Sequence, residues 1–144
     1  MAAGDITVKI TISGTVVSGK AIRNTSESIT FASISDVIDR HITCPSGTEI
    51  TVLLIASTVG GGTIAALNCV TFHNTSTTIT VEVGFIENGV QSVYFNLAPD
   101  EAKVMMGSDM IVSASGASSA TFADIDKITL QALTGTAVVE MVAF

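Results

Sequence analysis

The feature that most constrains the fold of this chain is the alternation of apolar with polar or small residues between Thr77 and Glu87, where four apolar residues alternate with Thr78, Thr80, Glu82 and Gly84. A period of two places successive side chains on opposite faces of a strand, so one face enters a core and the other meets water. Asn88-Gly89 follows, and because both residues tolerate positive φ, the pair predicts a tight turn into a return strand over Val90–Leu97. Ala98-Pro99-Asp100 is the turn that ends this β-meander. The inward residues of its first strand are Ile79, Val81, Val83 and Phe85.

The same alternation predicts strands over Asp5–Ile12 and Glu27–Ile34. Thr48–Ser57 is apolar on both faces, which predicts a central strand or one that is covered on both sides. Asp36–Cys44 mixes charged with apolar residues, as is typical of an edge strand protected against pairing. Turn signals recur about every 8–12 residues and separate about ten short strands, a spacing that predicts an all-β sandwich or barrel without helices.

The length of the chain is that of one domain. A chain of 144 residues buries roughly two-thirds of its unfolded surface, so it can form a core without a disulfide or a metal. We therefore predict a single antiparallel β-sandwich domain over residues 1–144, with a flexible N-terminal arm over residues 1–5. No apolar run reaches the roughly 18 residues that a membrane-spanning helix needs.

The charge of the chain excludes two classes of partner. The net charge is −7, and the six basic residues are scattered along the sequence. Nucleic acids and anionic membrane surfaces both require clustered Lys and Arg, so neither is a predicted partner. The first residues lack the basic and apolar segments of a secretory signal, which predicts maturation in the cytosol. Cys44 and Cys69 are then expected as two buried thiols rather than a disulfide.

The two histidines are the only candidates for a catalytic base, and each lies near a cysteine. His41 and Cys44 are three residues apart, which puts their side chains on opposite faces of a strand. Cys69 and His73 share a face, but they lie about 13 Å apart along it. All four together lack the closely spaced ligand pairs of a zinc site. The sequence therefore predicts no catalytic residue, no metal site and no cofactor, with both histidines at strand ends or in loops.

Three further motifs give only weak indications of a ligand. Gly60-Gly61-Gly62 lacks the Lys and the helix of a phosphate-binding loop, so we interpret it as a flexible loop. Asp124 and Asp126, with Asp109 near in sequence, lack the Gly and Glu of a calcium loop; a solvated loop is favoured, and cation binding stays open. Tyr94 is the single Tyr of a chain without Trp, which is a poor supply of rings for a sugar-stacking surface.

Two segments match the triplet that accepts N-linked glycans. They are Asn24-Thr25-Ser26 and Asn74-Thr75-Ser76. Without a secretory signal the match is interpreted as ordinary turn chemistry, because Asn side chains readily bond to the backbone two residues on.

Two segments carry a family resemblance. In Leu67–Val81 a strand ends in Asn and small polar residues before an alternating strand, and in Tyr94–Glu101 an aromatic–Leu–Pro segment closes the unit. This arrangement, over about the middle third of the chain, resembles small β-rich accessory structural proteins of tailed bacteriophages, the head decoration or cement proteins. Where that family usually has Gly after the Pro, this chain has Asp100.

The resemblance implies a non-enzymatic virion structural protein with a jelly-roll-like fold, trimeric or dimeric on the capsid exterior and made in the host cytoplasm. Its implied partners are the major capsid protein and further copies of itself. Because loops and termini carry interfaces on rigid β scaffolds, we expect Met1–Asp5, Thr58–Ala66 and Ser115–Asp126 to contact neighbours. A tail or fibre component and a lectin-like binding module are the alternatives, and an enzyme is the least favoured class because no catalytic constellation is present.

Overall fold

The computed structural model of the chain describes residues 4–12, 25–34, 36–55, 63–64, 67–87, 91–106 and 125–144. These residues form eleven strands and no helix, so the prediction of an all-β fold is confirmed. Within these ranges no helix is long and apolar enough to span a bilayer. In chain order the strands are β1 Gly4–Ile12, β2 Thr25–Ile34, β3 Ile38–Cys44, β4 Ile50–Ile55, β5 Thr63–Ile64, β6 Cys69–Asn74, β7 Val81–Glu87, β8 Gln91–Leu97, β9 Ala102–Met106, β10 Lys127–Ala132 and β11 Ala137–Ala143.

The chain divides into two compact units, Met1–Ser35 and Asp36–Phe144, which we call the N-terminal ribbon and the body. The prediction of one domain over 1–144 stays a prediction. The ribbon is the antiparallel pair β1–β2, in which Val8 lies opposite Ile29. On its other face the hydroxyls of Thr7 and Thr30 are 3.1 Å apart. At these two positions the alternation puts an apolar pair on one side of the ribbon and a hydroxyl pair on the other.

The body contains two sheets. One has five strands in the order β5-β4-β10-β7-β8, and the other has four in the order β3-β11-β6-β9. All neighbours are antiparallel except the short parallel pair β4–β5. Strands that are distant in sequence thus become neighbours: β3 pairs with β11, β4 with β10, and β6 with β9. As predicted for Asp36–Cys44, β3 lies at the edge of its sheet.

One hydrophobic core joins the inward residues of both sheets. Alternate residues of β7 and β11, such as Val83 and Met141, are fully buried. Three rings from both sheets meet there: Phe72 packs edge-on against Phe85 and Phe95 at a centroid distance of 6.2 Å in each case. The residues that the period-of-two pattern placed inward on β7 are therefore in the core, as predicted.

Of the two alternatives predicted for Thr48–Ser57, the structure shows the first: β4 lies inside its sheet, between β5 and β10, and it is not covered on both faces. Leu54 is 48% exposed, while Val52 and Leu53, adjacent in sequence, are both buried. The cause is a β-bulge: Leu53 lies opposite Ile128 and Thr51 opposite Thr129, so Val52 is the extra residue, and Val52 and Leu53 both turn inward. An apolar run on both faces therefore reflects an irregular ladder here.

A buried asparagine holds the corner between β6 and β7. The Nδ2 of Asn74 donates to the carbonyls of Ile79 at 2.7 Å, Ala98 at 3.0 Å and Leu97 at 3.2 Å, and its Oδ1 accepts from the backbone N–H of Ser76 at 3.1 Å. Asn74 itself is fully buried. The interpretation of Asn74-Thr75-Ser76 as turn chemistry is confirmed. The side-chain nitrogen of Asn74, which would carry a glycan, is hydrogen-bonded inside the protein. We call Asn74, Ser76, Ala98 and Glu101 the Asn74 corner.

Some sequence predictions fall on other parts of the chain. The Asn88-Gly89 turn, Gly60-Gly61-Gly62 and the triplet at Asn24 lie outside the described residues. Of the segments expected to contact neighbours, Met1–Asp5 is described at Gly4 and Asp5 in β1, Thr58–Ala66 only at β5, and Ser115–Asp126 only at its last two residues. Asp100 has φ 56°, a left-handed conformation that Gly adopts freely and that other residues adopt rarely.

Candidate functional site

The outward face of the four-stranded sheet carries a row of ionisable side chains. The register places His41 opposite Glu140, Glu140 opposite His73, and His73 opposite Ala102, so one residue from each of β3, β11, β6 and β9 stands in line. The neighbours of Glu140 in sequence, Val139 and Met141, are fully buried on the core side. Alternation along each strand therefore turns this row away from the core.

The carboxylate of Glu140 lies between the two imidazoles. Its Oε2 is 3.2 Å from Nδ1 of His73, and its Oε1 is 3.7 Å from Nδ1 of His41. The other ring nitrogen of His73, Nε2, is 3.6 Å from Oδ1 of Asp100. Because the side chains are at least two-fifths exposed, water weakens these pairs, and each contributes about 0–1 kcal/mol.

This arrangement is poorly suited to general-base catalysis. A catalytic histidine uses one ring nitrogen to take a proton from a nucleophile while a carboxylate orients the other. In His73 a carboxylate faces each nitrogen, so neither is directed at a hydroxyl or thiol. The side chains of the row pair with one another on the surface of the sheet, and none of them acts as a base toward a nucleophile among the described residues.

A shallow depression of about 370 Å³ lies beside the row. Its walls combine apolar side chains with charged groups at the rim. Val104 is 41% exposed within it, and Val138 nearby on the same face is 37% exposed. An apolar floor bordered by carboxylates is suited to contact with another macromolecule. The lining residues are Thr71, Phe72, His73, Ala102, Lys103, Val104, Glu140 and Val142.

Lys103 is held at one side of the depression. Its Nζ donates to the backbone carbonyl of Asn96 at 2.7 Å, lies 3.2 Å from Oε1 of Glu101 and sits 5.1 Å from the ring centroid of Phe95. The Oε2 of Glu101 accepts from the backbone N–H of Ala98 at 2.6 Å. This backbone hydrogen bond, followed by the one from Lys103, lowers the pKa of Glu101 from its ordinary value.

The outward face of the five-stranded sheet has a different character. There Gly84 lies between Thr129 on β10 and Tyr94 on β8. A Cβ on Gly84 would collide with the Thr129 hydroxyl and lie 2.7 Å from Cε1 of Tyr94, so the ring rests directly on the glycine. The Oγ1 of Thr129 is buried and has no hydrogen-bond partner among the described residues. We call Gly84, Tyr94 and Thr129 the Gly84 row.

The two cysteines are core residues. Both Cys44 and Cys69 are buried thiols outside any disulfide, as predicted. Burial raises the pKa of the Cys44 thiol to about 11, so at neutral pH the reactive thiolate is scarce. His41 is exposed while Cys44 is fully buried, as their opposite faces on β3 require.

Metal ligation finds no support in the described ranges. They contain no group of three His, Cys, Asp or Glu side chains placed to hold an ion. Asp126 is described just before β10, but Asp109 and Asp124 lie outside those ranges, so the interpretation of this aspartate group as a solvated loop stays a prediction.

The row was not predicted from the sequence, because its side chains come together only through the register of β3, β11 and β6. The prediction that both histidines lie at strand ends or in loops is wrong for His41, which is in the middle of β3. Alternation along β11 would have marked Glu140 as outward. That it stands between His41 and His73 depends on pairings of residues 67 and 99 positions apart, which local pattern does not contain.

Comparisons with known proteins add no relative. The chain matches no protein family, no curated protein and no solved structure.

Proposed function

We propose that this chain is a non-enzymatic virion structural protein, a capsid decoration or cement protein that binds the outer surface of a phage head and stabilises contacts between capsomers. Two observations support the proposal: the resemblance carried by Leu67–Val81 and Tyr94–Glu101, and the order of strands in the body. The strand order carries more of the argument, since it rests on the whole body and not on a short motif.

The body is a jelly-roll sandwich in this proposal. Apart from the two-residue β5, the described residues of the body form eight strands in chain order. The first pairs with the eighth, the second with the seventh, the third with the sixth and the fourth with the fifth. One long antiparallel ribbon, folded over so that β11 joins β6 and β10 joins β7, produces this order. Viral capsid proteins and lectins both use this architecture, so it supports a shell or binding role without naming a ligand.

Such a protein acts by burying surface where capsomers meet. A protein that binds the assembled shell and not its separate subunits stabilises the shell by mass action, and no catalytic turnover is needed. The partners are the major capsid protein and other copies of this chain as a trimer or dimer, because shell sites are symmetric. The location is the capsid exterior after synthesis in the host cytoplasm. Segments 1–5, 58–66 and 115–126 remain the proposed contact segments.

The test uses purified undecorated heads of tailed phages. We expect the protein to co-sediment with these heads and to raise their melting temperature, while heads already carrying a decoration protein bind none. Absence of both co-sedimentation and a melting shift would contradict the proposal. Copy number in an intact particle then separates a head component, present in hundreds, from a tail or fibre component, present in about a dozen or fewer.

A lectin-like module is the second candidate, and one observation favours it. Tyr94 is 46% exposed and rests on Gly84, so its ring lies open to solvent on a sheet face, as a sugar-stacking platform requires. Tyrosine fluorescence reports this ring alone, because the chain has one Tyr and no Trp. Titration with methyl glycosides should change that fluorescence if the module binds sugars. In gels that contain polysaccharide, the migration of a sugar-binding protein is retarded; the variant Tyr94→Phe should still be retarded, whereas Tyr94→Ala should not.

A further inference from the structure

Strand β8 lies at one edge of the five-stranded sheet. It pairs with β7 on one side, and no strand among the described residues pairs with it on the other. Its register with β7 is regular over all seven residues, from Gln91 opposite Glu87 to Leu97 opposite Val81. A strand of this length without a bulge presents a continuous row of backbone donors and acceptors at the edge of its sheet.

The hydrogen bonds between β7 and β8 use alternate residues of each strand. The carbonyl of Ile86 accepts from the N–H of Asp126, just before β10, so the even-numbered residues of β7 bond toward β10 and the odd-numbered ones toward β8. The β8 partners of those odd-numbered residues, such as Val93 and Phe95, therefore bond back to β7.

The residues between them turn their backbone groups toward the open edge. They are Ser92, Tyr94 and Asn96, all three with exposed side chains. The carbonyl of Asn96 agrees with this direction, because it accepts from Nζ of Lys103 in the other sheet, and its second lone pair can accept a further bond. The ring of Tyr94 rests on Gly84 of β7, on the side away from the edge, so it does not cover these backbone groups.

The open edge of β8 also lacks the usual protection against pairing. Among the described strands that end a sheet, β1, β2, β3 and β9 carry the charged residues Lys9, Glu27, Asp39 and Lys103, and β5 has only two residues. The sequence of β8 contains no charged residue, no Pro and no Gly. Charges and Pro at an edge oppose the addition of a strand, and β8 has neither.

The partner that fits this edge is another extended backbone, and β8 itself is such a strand. A two-fold axis at Tyr94 places this residue opposite Tyr94 of the second copy, and Ser92 opposite Asn96. All of these residues turn their N–H and C=O groups to the edge, so each opposed pair exchanges two backbone hydrogen bonds. No like charges meet, because β8 carries none.

We propose that two copies of this chain pair antiparallel through β8, so that their five-stranded sheets form one continuous sheet across a two-fold axis. The contact joins the same surface of both copies, so it closes at a dimer and leaves no second β8 edge for a third chain. The dimer requires no capsid, and its formation and the binding of phage heads are therefore measured separately.

The first test measures the mass of the full chain by light scattering after gel filtration. We expect twice the mass of the chain. Ser92→Pro removes an N–H from the open edge, where Pro is tolerated, and should weaken the dimer about tenfold or more. Ser92→Ala keeps that N–H and is the matched control, which should leave the mass unchanged. Circular dichroism of each variant separates loss of the dimer from loss of folding.

The second test locates the register by disulfide formation. Opposed residues of such a pair have Cα atoms about 5.5 Å apart, a separation that a disulfide spans. The double variant Ser92→Cys/Asn96→Cys should therefore form a covalent dimer on mild oxidation. Asn96→Cys alone is the control, because the two Asn96 residues lie about 13 Å apart along the paired strands. The native Cys44 and Cys69 are buried in the core.

Three outcomes would overturn this dimer. A monomer at every protein concentration means that β8 does not pair with itself. A dimer that Ser92→Pro and Ser92→Ala weaken equally does not use the backbone of this edge. Covalent dimers that form as readily from Asn96→Cys alone as from the double variant exclude the register centred on Tyr94.

Discussion

The Asn74 corner and the Gly84 row each bury a polar side chain, but they treat its hydrogen-bonding groups in opposite ways. Asn74 uses both its amide nitrogen and its oxygen, bonding to three carbonyls and one N–H. Thr129 keeps a buried hydroxyl without a partner among the described residues. Asn74 and Thr129 lie in the same body and are both buried, so burial alone does not explain the difference.

The backbone explains it. At the Asn74 corner the chain leaves one sheet and enters the other, so the carbonyls of Ile79 and Ala98 face a side chain instead of a neighbouring strand. In the Gly84 row a regular antiparallel ladder satisfies the backbone. Where the ladder stops, the backbone needs a side chain to complete its hydrogen bonds. Where the ladder continues, the backbone is already satisfied, and the side chain contributes only its shape to the packing.

Asn74→Ala should have the largest effect. The substitution removes the Asn74 donor from the carbonyls of Ile79 and Leu97, whereas the carbonyl of Ala98 still accepts from the N–H of Glu101. Each buried group left unsatisfied costs about 1–3 kcal/mol, so we expect a loss of about 3 kcal/mol in the free energy of unfolding. Urea denaturation measures it. Thr77→Ala, at an exposed position of the same turn, is the control and should change stability by less than about 0.5 kcal/mol. Equal losses in the two variants would contradict the role assigned to the Asn74 amide.

Gly84→Ala should follow, with a loss of about 1–3 kcal/mol from overpacking against Thr129 and the Tyr94 ring. A double-mutant cycle with Thr129→Ala tests the cause, because removing the hydroxyl should recover part of the loss. Strict additivity of the two substitutions would show that the Thr129 hydroxyl is not what the added methyl group meets.

Thr129→Val should be neutral or should stabilise the protein by up to about 1 kcal/mol. Valine has nearly the same shape, and it removes a buried hydroxyl that makes no described hydrogen bond. Chemical denaturation of the wild type and the variant under identical conditions gives the sign. A clear destabilisation would mean that the hydroxyl has a bonding partner, and the contrast with Asn74 would then fail.

Glu101→Gln should have the smallest effect, and one that depends on pH. The folded pKa of Glu101 lies below its ordinary value of 4.5, so its carboxylate contributes stability that is present above that value and is lost as pH falls through the folded pKa. Glutamine keeps an acceptor for the N–H of Ala98 but lacks the charge. The variant should therefore be slightly less stable at neutral pH, and the difference in urea midpoint should vanish in acid. If the urea midpoints of the two proteins still differ below about pH 3, the charge of Glu101 is not the cause of the difference.

Local pattern predicted the elements of the body well. The inward residues of β7 and the edge position of β3 followed from alternation and from where the charges lie. The bulge at Val52 did not, because an extra residue is visible only against the partner strand. The row of His41, Glu140 and His73 could not be predicted in this way either, since it depends on the register of strands that are far apart in sequence. The interpretation of the triplet at Asn74 as turn chemistry is correct, but its two long-range carbonyl partners, Leu97 and Ala98, were not foreseeable from the residues around it.

The burial of Asn74 also bears on how the protein is produced. Secretory machinery attaches oligosaccharides to extended chains before they fold, and Asn74-Thr75-Ser76 is a triplet it accepts. A sugar on Nδ2 would remove a donor from the corner and place a large hydrated group where the core closes. Export through a eukaryotic secretory route would therefore trap the chain unfolded, whereas Asn74 left unmodified in a bacterial cytoplasm allows the corner to form.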